Sequence, residues 1–149
     1  MVHKQAKNIK TGQAGRAGLI EGSRLVASLV EITFGPLGGR VALERTHDYP
    51  ELTMDGFGVI RDLQCEDRFV TAGIELIKAC AQETRNAVGD GSTTSALIAA
   101  VLAEAGFRVI ASGLDPMTVR RRFDGLVGET LDILKRQSFP AVDYETLHK

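Results

Sequence analysis

The chain has 149 residues, 44% hydrophobic and 25% charged, and its 18 Lys and Arg against 19 Asp and Glu leave a formal net charge of -1. That balance excludes a mostly disordered chain and argues against a general polyanion binder, while the length suits one globular unit with one core. Four Pro, 16 Gly and two Cys give neither a collagen period nor a disulfide framework, and Cys65 and Cys80 stand too far apart for a CxxC motif, so a reducing, cytoplasmic compartment is expected.

Residues 1–18 carry Lys4, Lys7, Lys10 and Arg16 with no acid and no apolar run behind them. This excludes a secretory signal and predicts a basic, flexible arm, with nucleic-acid or membrane-surface contact as alternatives. From Leu19 to Phe34, Leu25, Val26, Leu29, Val30 and Thr33 recur at spacings of three and four, which predicts an amphipathic helix ending before Gly35-Pro36. The runs "GRVALE" and "PELTMD" flank Thr46-His47-Asp48-Tyr49-Pro50 and predict a small β-hairpin with those five residues as its turn.

A short Val59-Ile60 segment then leads into a long helix over about Glu66 to Val88, with Phe69, Val70, Gly73, Ile74, Ile77, Cys80, Ala81, Thr84 and Val88 on one face. Gly89-Asp90-Gly91 breaks it. The next helix, starting at Ser92, is small and apolar nearly all round, as expected of a central buried helix, with Glu104 and Arg108 spaced to pair across one turn. The run around Ala96 to Val101 is too short to span a bilayer before Glu104 and Arg108 interrupt it, so no membrane segment is expected. Asp115-Pro116 starts a fourth helix, with Val119, Phe123, Leu126, Val127, Thr130, Leu131 and Leu134 on one face, and residues 138–149 read as a tail. The fold class is therefore mainly α: four helices and one hairpin in a single body.

Chemistry concentrates at "VGDGSTT", residues 88–94, where two glycines flank an acid immediately before a helix start. Glycines turn backbone N–H groups towards a common anion, a helix N-terminus adds free donors and a positive dipole end, and Ser92, Thr93 and Thr94 add hydroxyls. A carboxylate beside phosphates fits if Asp90 holds Mg²⁺ or orients the attacking water. The plainer alternative makes Gly89 the end of one helix and Asp90 the cap of the next. No GxxxxGK[ST] is present, so an ordinary P-loop is excluded. Two further turns, "TFGPLGGR" at 33–40 and "MDGFG" at 54–58, are ordinary taken singly, yet three Gly-rich turns, two bearing Asp, form an anion and metal pocket if they converge. His3, His47 and His148 lack metal spacing, and the serines lack a base or nucleophile elbow. Arg120, Arg121 and Arg122 read as a solvated or interface face rather than a specific nucleic-acid contact.

In their order and spacing, "VEITFGPLGGRVALE", "LTMDGFGVIRDLQCEDRF", "VGDGSTTSALIAA" and "ASGLDPMTVRR" resemble the group I chaperonins of bacteria and organelles, in the amino-terminal half of the equatorial ATP-binding domain. The likeness runs from about Gly18 to Arg136, and makes residues 19–137 a partial equatorial-domain-like helical bundle with a small β-hairpin, incomplete relative to the family. It implies ATP and Mg²⁺ as cofactors, with Thr33, Phe34, Gly35 and Pro36 bordering the nucleotide and Asp55 and Gly56 beside the γ-phosphate, Asp55 in a catalytic position. It makes Asp90 the Mg²⁺ ligand, with Gly91, Ser92, Thr93 and Thr94 cradling the phosphates and Ser92 standing for the usual first threonine.

The chain departs from the family pattern at Leu37 and Met54, where lysines are common, and at Gly39, where an arginine is. The resemblance further implies ATP-dependent folding of unfolded clients in double rings of complete subunits, with the segments bearing the second catalytic aspartate lying outside the matched part. Two functional readings follow. One is a fragment of a chaperonin subunit that works in a full-length context, with weak or no ATPase alone. The other is a stand-alone oligomerising or nucleotide-sensing protein. Both predict partners, either other copies of the chain or full-length chaperonin subunits, and neither calls for a membrane or a specific nucleic acid.

Overall fold

The computed structural model describes residues 8–45 and 48–139, which contain five helices and one antiparallel two-stranded sheet. In chain order these are α1 (Gly12–Thr33), β1 (Val41–Arg45), β2 (Asp48–Thr53), α2 (Gly56–Arg61), α3 (Arg68–Val88), α4 (Ser92–Ala111) and α5 (Pro116–Gln137). The chain divides into two compact units, one up to Ala111 and the other from Ser112 onward. The mainly helical class and the hairpin agree with the sequence reading, and α2 is one helix more than periodicity indicated.

α1 begins seven residues earlier than its apolar spacing suggested, so residues 12–18 of the expected arm form its first turns. They are helical because they pack: Gly18 is buried, and a Cβ there would lie 2.8 Å from the Cβ of Phe69. Lys10 ties the same region to α3, donating to Asp67 Oδ2 at 3.2 Å with its ammonium 4.4 Å from the Phe69 ring centre. Asp67 is the N-cap of α3, accepting from the N–H groups of Phe69 (2.7 Å) and Val70 (3.4 Å). The Phe69 N–H, then Lys10, hold its carboxyl below the usual carboxylate range.

α1 and α3 touch backbone to backbone. A Cβ on Gly22 would collide with the carbonyl of Val70 and come within 2.8 Å of the Ile74 nitrogen, and one on Gly73 would collide with the carbonyl of Leu19. The pairs Gly18 with Phe69 and Gly22 with Gly73 advance together along both helices, so the two run parallel. α4 runs the other way: Ser95 in its first turn accepts from the Thr84 hydroxyl near the end of α3 at 3.0 Å, whereas Glu104, further along α4, accepts from Arg24 near the middle of α1 at 2.9 Å. Glu104 thus pairs with α1 rather than mainly with Arg108, which adds a weaker attraction. The Arg24 hydrogen bond is the leading cause that lowers the Glu104 pKa.

Around this crossing lies the core of the first unit: Val26 and Val30 of α1, Phe57, Val59 and Ile60 of α2, Val70, Ile74, Ile77 and Ala81 of α3, and Ala96 and Ala100 of α4. Ile60 and Ile74 are fully buried, each worth about 2–3 kcal/mol in apolar area removed from water. Val41 and Leu43 of β1 pack against it from the side, while Ala42 and Glu44 face out, the period-2 alternation of a half-buried strand. The hairpin pairs Val41 with Thr53 and Leu43 with Glu51, and the register shifts between Leu43 and Arg45. Asp48, Tyr49 and Pro50 belong to β2 rather than to the turn, whose Thr46 and His47 lie outside the described residues.

The central burial expected of α4 is not found. Ala96, Ala100 and Gly106 are buried, but Ile98, Val101, Leu102 and Val109 are exposed. α4 is also long and apolar enough, by length and composition alone, to cross a membrane, contrary to the sequence expectation. Its Ala96 and Ala100 face packs in the core and its Glu104 is ion-paired, which makes it a core helix with one uncovered apolar side. In the second unit, Asp115 caps α5 by accepting from the Thr118 N–H at 2.8 Å, with Pro116 in the first turn. Val119 is buried, whereas Leu126, Val127, Leu131 and Leu134 of its predicted face are about half exposed.

The glycines give a test with opposite signs. Gly22→Ala and Gly73→Ala should each destabilise the chain by at least about 2 kcal/mol, because a methyl driven into a backbone carbonyl outweighs the gain of about 1 kcal/mol in helix propensity. Gly125→Ala, at an α5 site with nothing within 4 Å of the added methyl, should be neutral or stabilising by up to about 1 kcal/mol. Urea unfolding of the three variants measures both, and equal effects at Gly73 and Gly125 would refute the close-contact account.

Candidate functional site

The crossing directions determine which chain ends meet. α1 and α3 are parallel, so both C-termini lie at one end of the first unit, and antiparallel α4 starts there. The hairpin carries the chain away from α1 and, through the Val41–Thr53 pair, returns it to the start of α2 at the same end. Three Gly-rich turns spaced along the sequence are brought together in this way.

Gly56 is where they touch. A Cβ on this buried residue would lie 2.6 Å from Thr93 Oγ1, 2.8 Å from Thr93 Cγ2 and 2.9 Å from Thr33 Oγ1. One glycine from "MDGFG" is thus wedged between the last residue of α1 and the first turn of α4. Thr33 is anchored by its own helix, its hydroxyl donating to the Val30 carbonyl at 3.0 Å.

Each turn has a local reason for its shape. After α1, Gly35 takes φ +81°, the Gly38 N–H donates to the Gly35 carbonyl at 3.0 Å and the Gly39 N–H returns to Ile32 at 2.7 Å. This folds residues 33–39 tightly enough that a Cβ on Gly38 would strike the Thr33 carbonyl. Phe34, Gly35 and Pro36 are exposed on it. At the second turn, Thr53 Oγ1 accepts from the Asp55 N–H (3.1 Å) and Asp55 Oδ1 accepts from the Phe57 N–H (3.1 Å), so Asp55 caps α2 with its other oxygen unused by the cap. At the third, Gly89 ends α3 at φ +86°, its N–H donating to the Arg85 carbonyl at 2.8 Å, and Gly91 follows at φ +79°.

Asp90, between those glycines, is exposed and accepts from the Gly91 N–H at 2.6 Å. It therefore bonds within its own loop rather than capping the N–H groups deeper in α4. The first helical bond of α4 runs from the Ser95 N–H to the Gly91 carbonyl at 2.9 Å, which leaves the Ser92, Thr93 and Thr94 N–H groups ahead of the ladder. Below them Thr84 Oγ1 donates to Ser95 Oγ at 3.0 Å, with Cys80 Sγ 3.7 Å from the same oxygen, so polar bonds fasten the end of α3 to the start of α4.

Among the described residues no three His, Cys, Asp or Glu gather into a metal cage. The donor set instead fits an ion such as Mg²⁺, which takes one or two carboxylates and completes its shell with phosphate oxygens and water. Phosphates in turn fit the helix start, with its N–H groups and hydroxyls.

Sequence reasoning missed Arg85. Its guanidinium lies 5.1 Å from the centre of the Phe57 ring, and Nη1 is 4.0 Å from Asp55 Oδ2. The available signal was position, one turn before the helix-ending Gly89. Leu37 and Met54, which stand where lysines are common in the family the chain resembles, are 97% and 56% exposed and bring no charge.

The profile of the TCP-1/cpn60 chaperonin family matches residues 26–149, a span that takes in all three turns. The chain belongs to this chaperonin family. The match spans Thr33, Gly56 and Thr93.

The contact at Gly56 makes a double-mutant test. Gly56→Ala should destabilise the chain by about 1–3 kcal/mol through overpacking, and adding Thr93→Ala should recover part of that loss because two of the three crowding atoms disappear. Additive losses in a denaturation cycle would mean that the two residues do not touch.

Proposed function

We propose that this chaperonin-family chain is the amino-terminal half of an equatorial domain of group I type, and that it binds MgATP where its three turns meet. In this reading the Ser92, Thr93 and Thr94 N–H groups and hydroxyls take phosphate oxygens, with Gly91 allowing close approach. Asp90 holds Mg²⁺. Thr33, Phe34, Gly35 and Pro36 border the nucleotide, and Asp55 and Gly56 lie beside the terminal phosphate, with Asp55 positioned to orient water. Mg²⁺, once bound, would neutralise phosphate charge. The supporting observation is that Gly56 sits against both Thr33 and Thr93, so three segments separate in sequence meet there.

The biological setting proposed is ATP-dependent protein folding in a reducing, cytoplasmic compartment, where complete subunits supply the client surface and the second catalytic carboxylate. Turnover by this chain alone is expected to be weak or absent. A second reading, an oligomerising or nucleotide-sensing protein, draws support from the uncovered apolar face of α4 at Ile98, Val101, Leu102 and Val109.

Calorimetric titration tests the first reading: saturable MgATP binding is expected below about 1 mM. Asp90→Ala should abolish the Mg²⁺ dependence, whereas Asp55→Ala should retain it. No binding by the folded chain at millimolar nucleotide would refute the site. For association, sedimentation should show dimers or larger species that Val101→Glu disperses, and a monomer at all concentrations would overturn it.

A further inference from the structure

The site described above carries two carboxylates, Asp55 and Asp90, and exposed apolar side chains at Leu37 and Met54. A triphosphate entering it meets these two acids, and helix-start N–H groups offer only partial positive charge. Arg85 is the full positive charge that the structure places at Asp55.

Its surroundings hold it there loosely enough to change partner. The Phe57 ring, 5.1 Å from the guanidinium carbon, is a fixed platform: Phe57 is buried and its N–H is bonded to Asp55. At the base of the side chain, the Arg85 carbonyl accepts the Gly89 N–H, which roots the residue in the loop that carries Asp90. The pairing with Asp55 is weaker. At 4.0 Å, with the side chains 50% and 55% exposed, it lies at the outer limit of an ion pair and is screened by water. A guanidinium presents five N–H donors and matches phosphate in a bidentate way, so a doubly charged terminal phosphate beside Asp55 outcompetes the single carboxylate.

We propose that Arg85 is the terminal-phosphate reader of this chain: it rests on Phe57 against Asp55 without ligand and transfers to the last phosphate of a bound nucleoside triphosphate. This rests on the MgATP reading above and adds a ligand preference to it. A nucleoside diphosphate ends one phosphate short and leaves Arg85 on Asp55, so the residue discriminates triphosphate from diphosphate.

The test is calorimetric titration of the full chain with MgATP and MgADP at fixed ionic strength, comparing the unaltered protein with Arg85→Gln and Arg85→Lys. The expected result is a loss of about tenfold in MgATP affinity for Arg85→Gln, with MgADP changed by less than about twofold, and partial recovery in Arg85→Lys. The thermal midpoint should stay within a few degrees, since an exposed pair contributes little to stability. Equal losses for the two nucleotides, or none, would overturn the proposal while leaving the MgATP site intact. If the unaltered chain binds neither nucleotide, both readings fail.

Discussion

α1 and α3 approach closely where Gly22 and Gly73 let two backbones meet with no side chain between them. Close-packed interiors transmit such a constraint, because neighbouring rotamers are already filled. At this crossing α1 and α3 run parallel. That direction puts two helix C-termini at one end of the unit, and antiparallel α4 then brings its N-terminus to the same place. The site is thus a consequence of how two helices cross elsewhere, about three turns of α1 away.

What gathers at that end is electrostatically mixed. The starts of α2 and α4 bring positive dipole ends, the ends of α1 and α3 bring negative ones, and Asp55 and Asp90 add full charges. Such a surface suits neither a bare anion nor a bare cation well. The proposed metal and polyanion match it together, because each would neutralise what the other leaves uncompensated. The formal charge of -1 over the whole chain conceals this local arrangement.

Much of the fold was readable from the sequence where one residue type carries the local decision. Asp115-Pro116 and Gly89 marked helix ends because capping and positive φ depend on individual residues. The apolar face of α3 was legible as far as Ala81, since spacing encodes burial directly. Three features were not. The early start of α1 depends on Gly18 meeting Phe69, a contact with no local signature. α2 is six residues long and its buried Phe57, Val59 and Ile60 read equally as a strand. The exposed side of α4 was misread because an all-round apolar helix shows that burial is available without showing what provides it. At the site, the turn residues were legible as motifs. Their convergence at Gly56 was not, and Arg85 has no motif because its neighbours Phe57 and Asp55 are remote in sequence.

The bond from Arg24 to Glu104 joins positions 80 residues apart. In a simple up-and-down bundle each helix meets the next after a short loop, but here α1 must wait for the hairpin, α2 and α3 before α4 can close on it. Closing so long a loop costs entropy before any long-range contact repays it, which slows folding relative to a helical bundle of similar size. The three turns are complete only once that closure has occurred. During synthesis α1 emerges well before α4, so its glycine face has to survive partly unpaired until α4 follows.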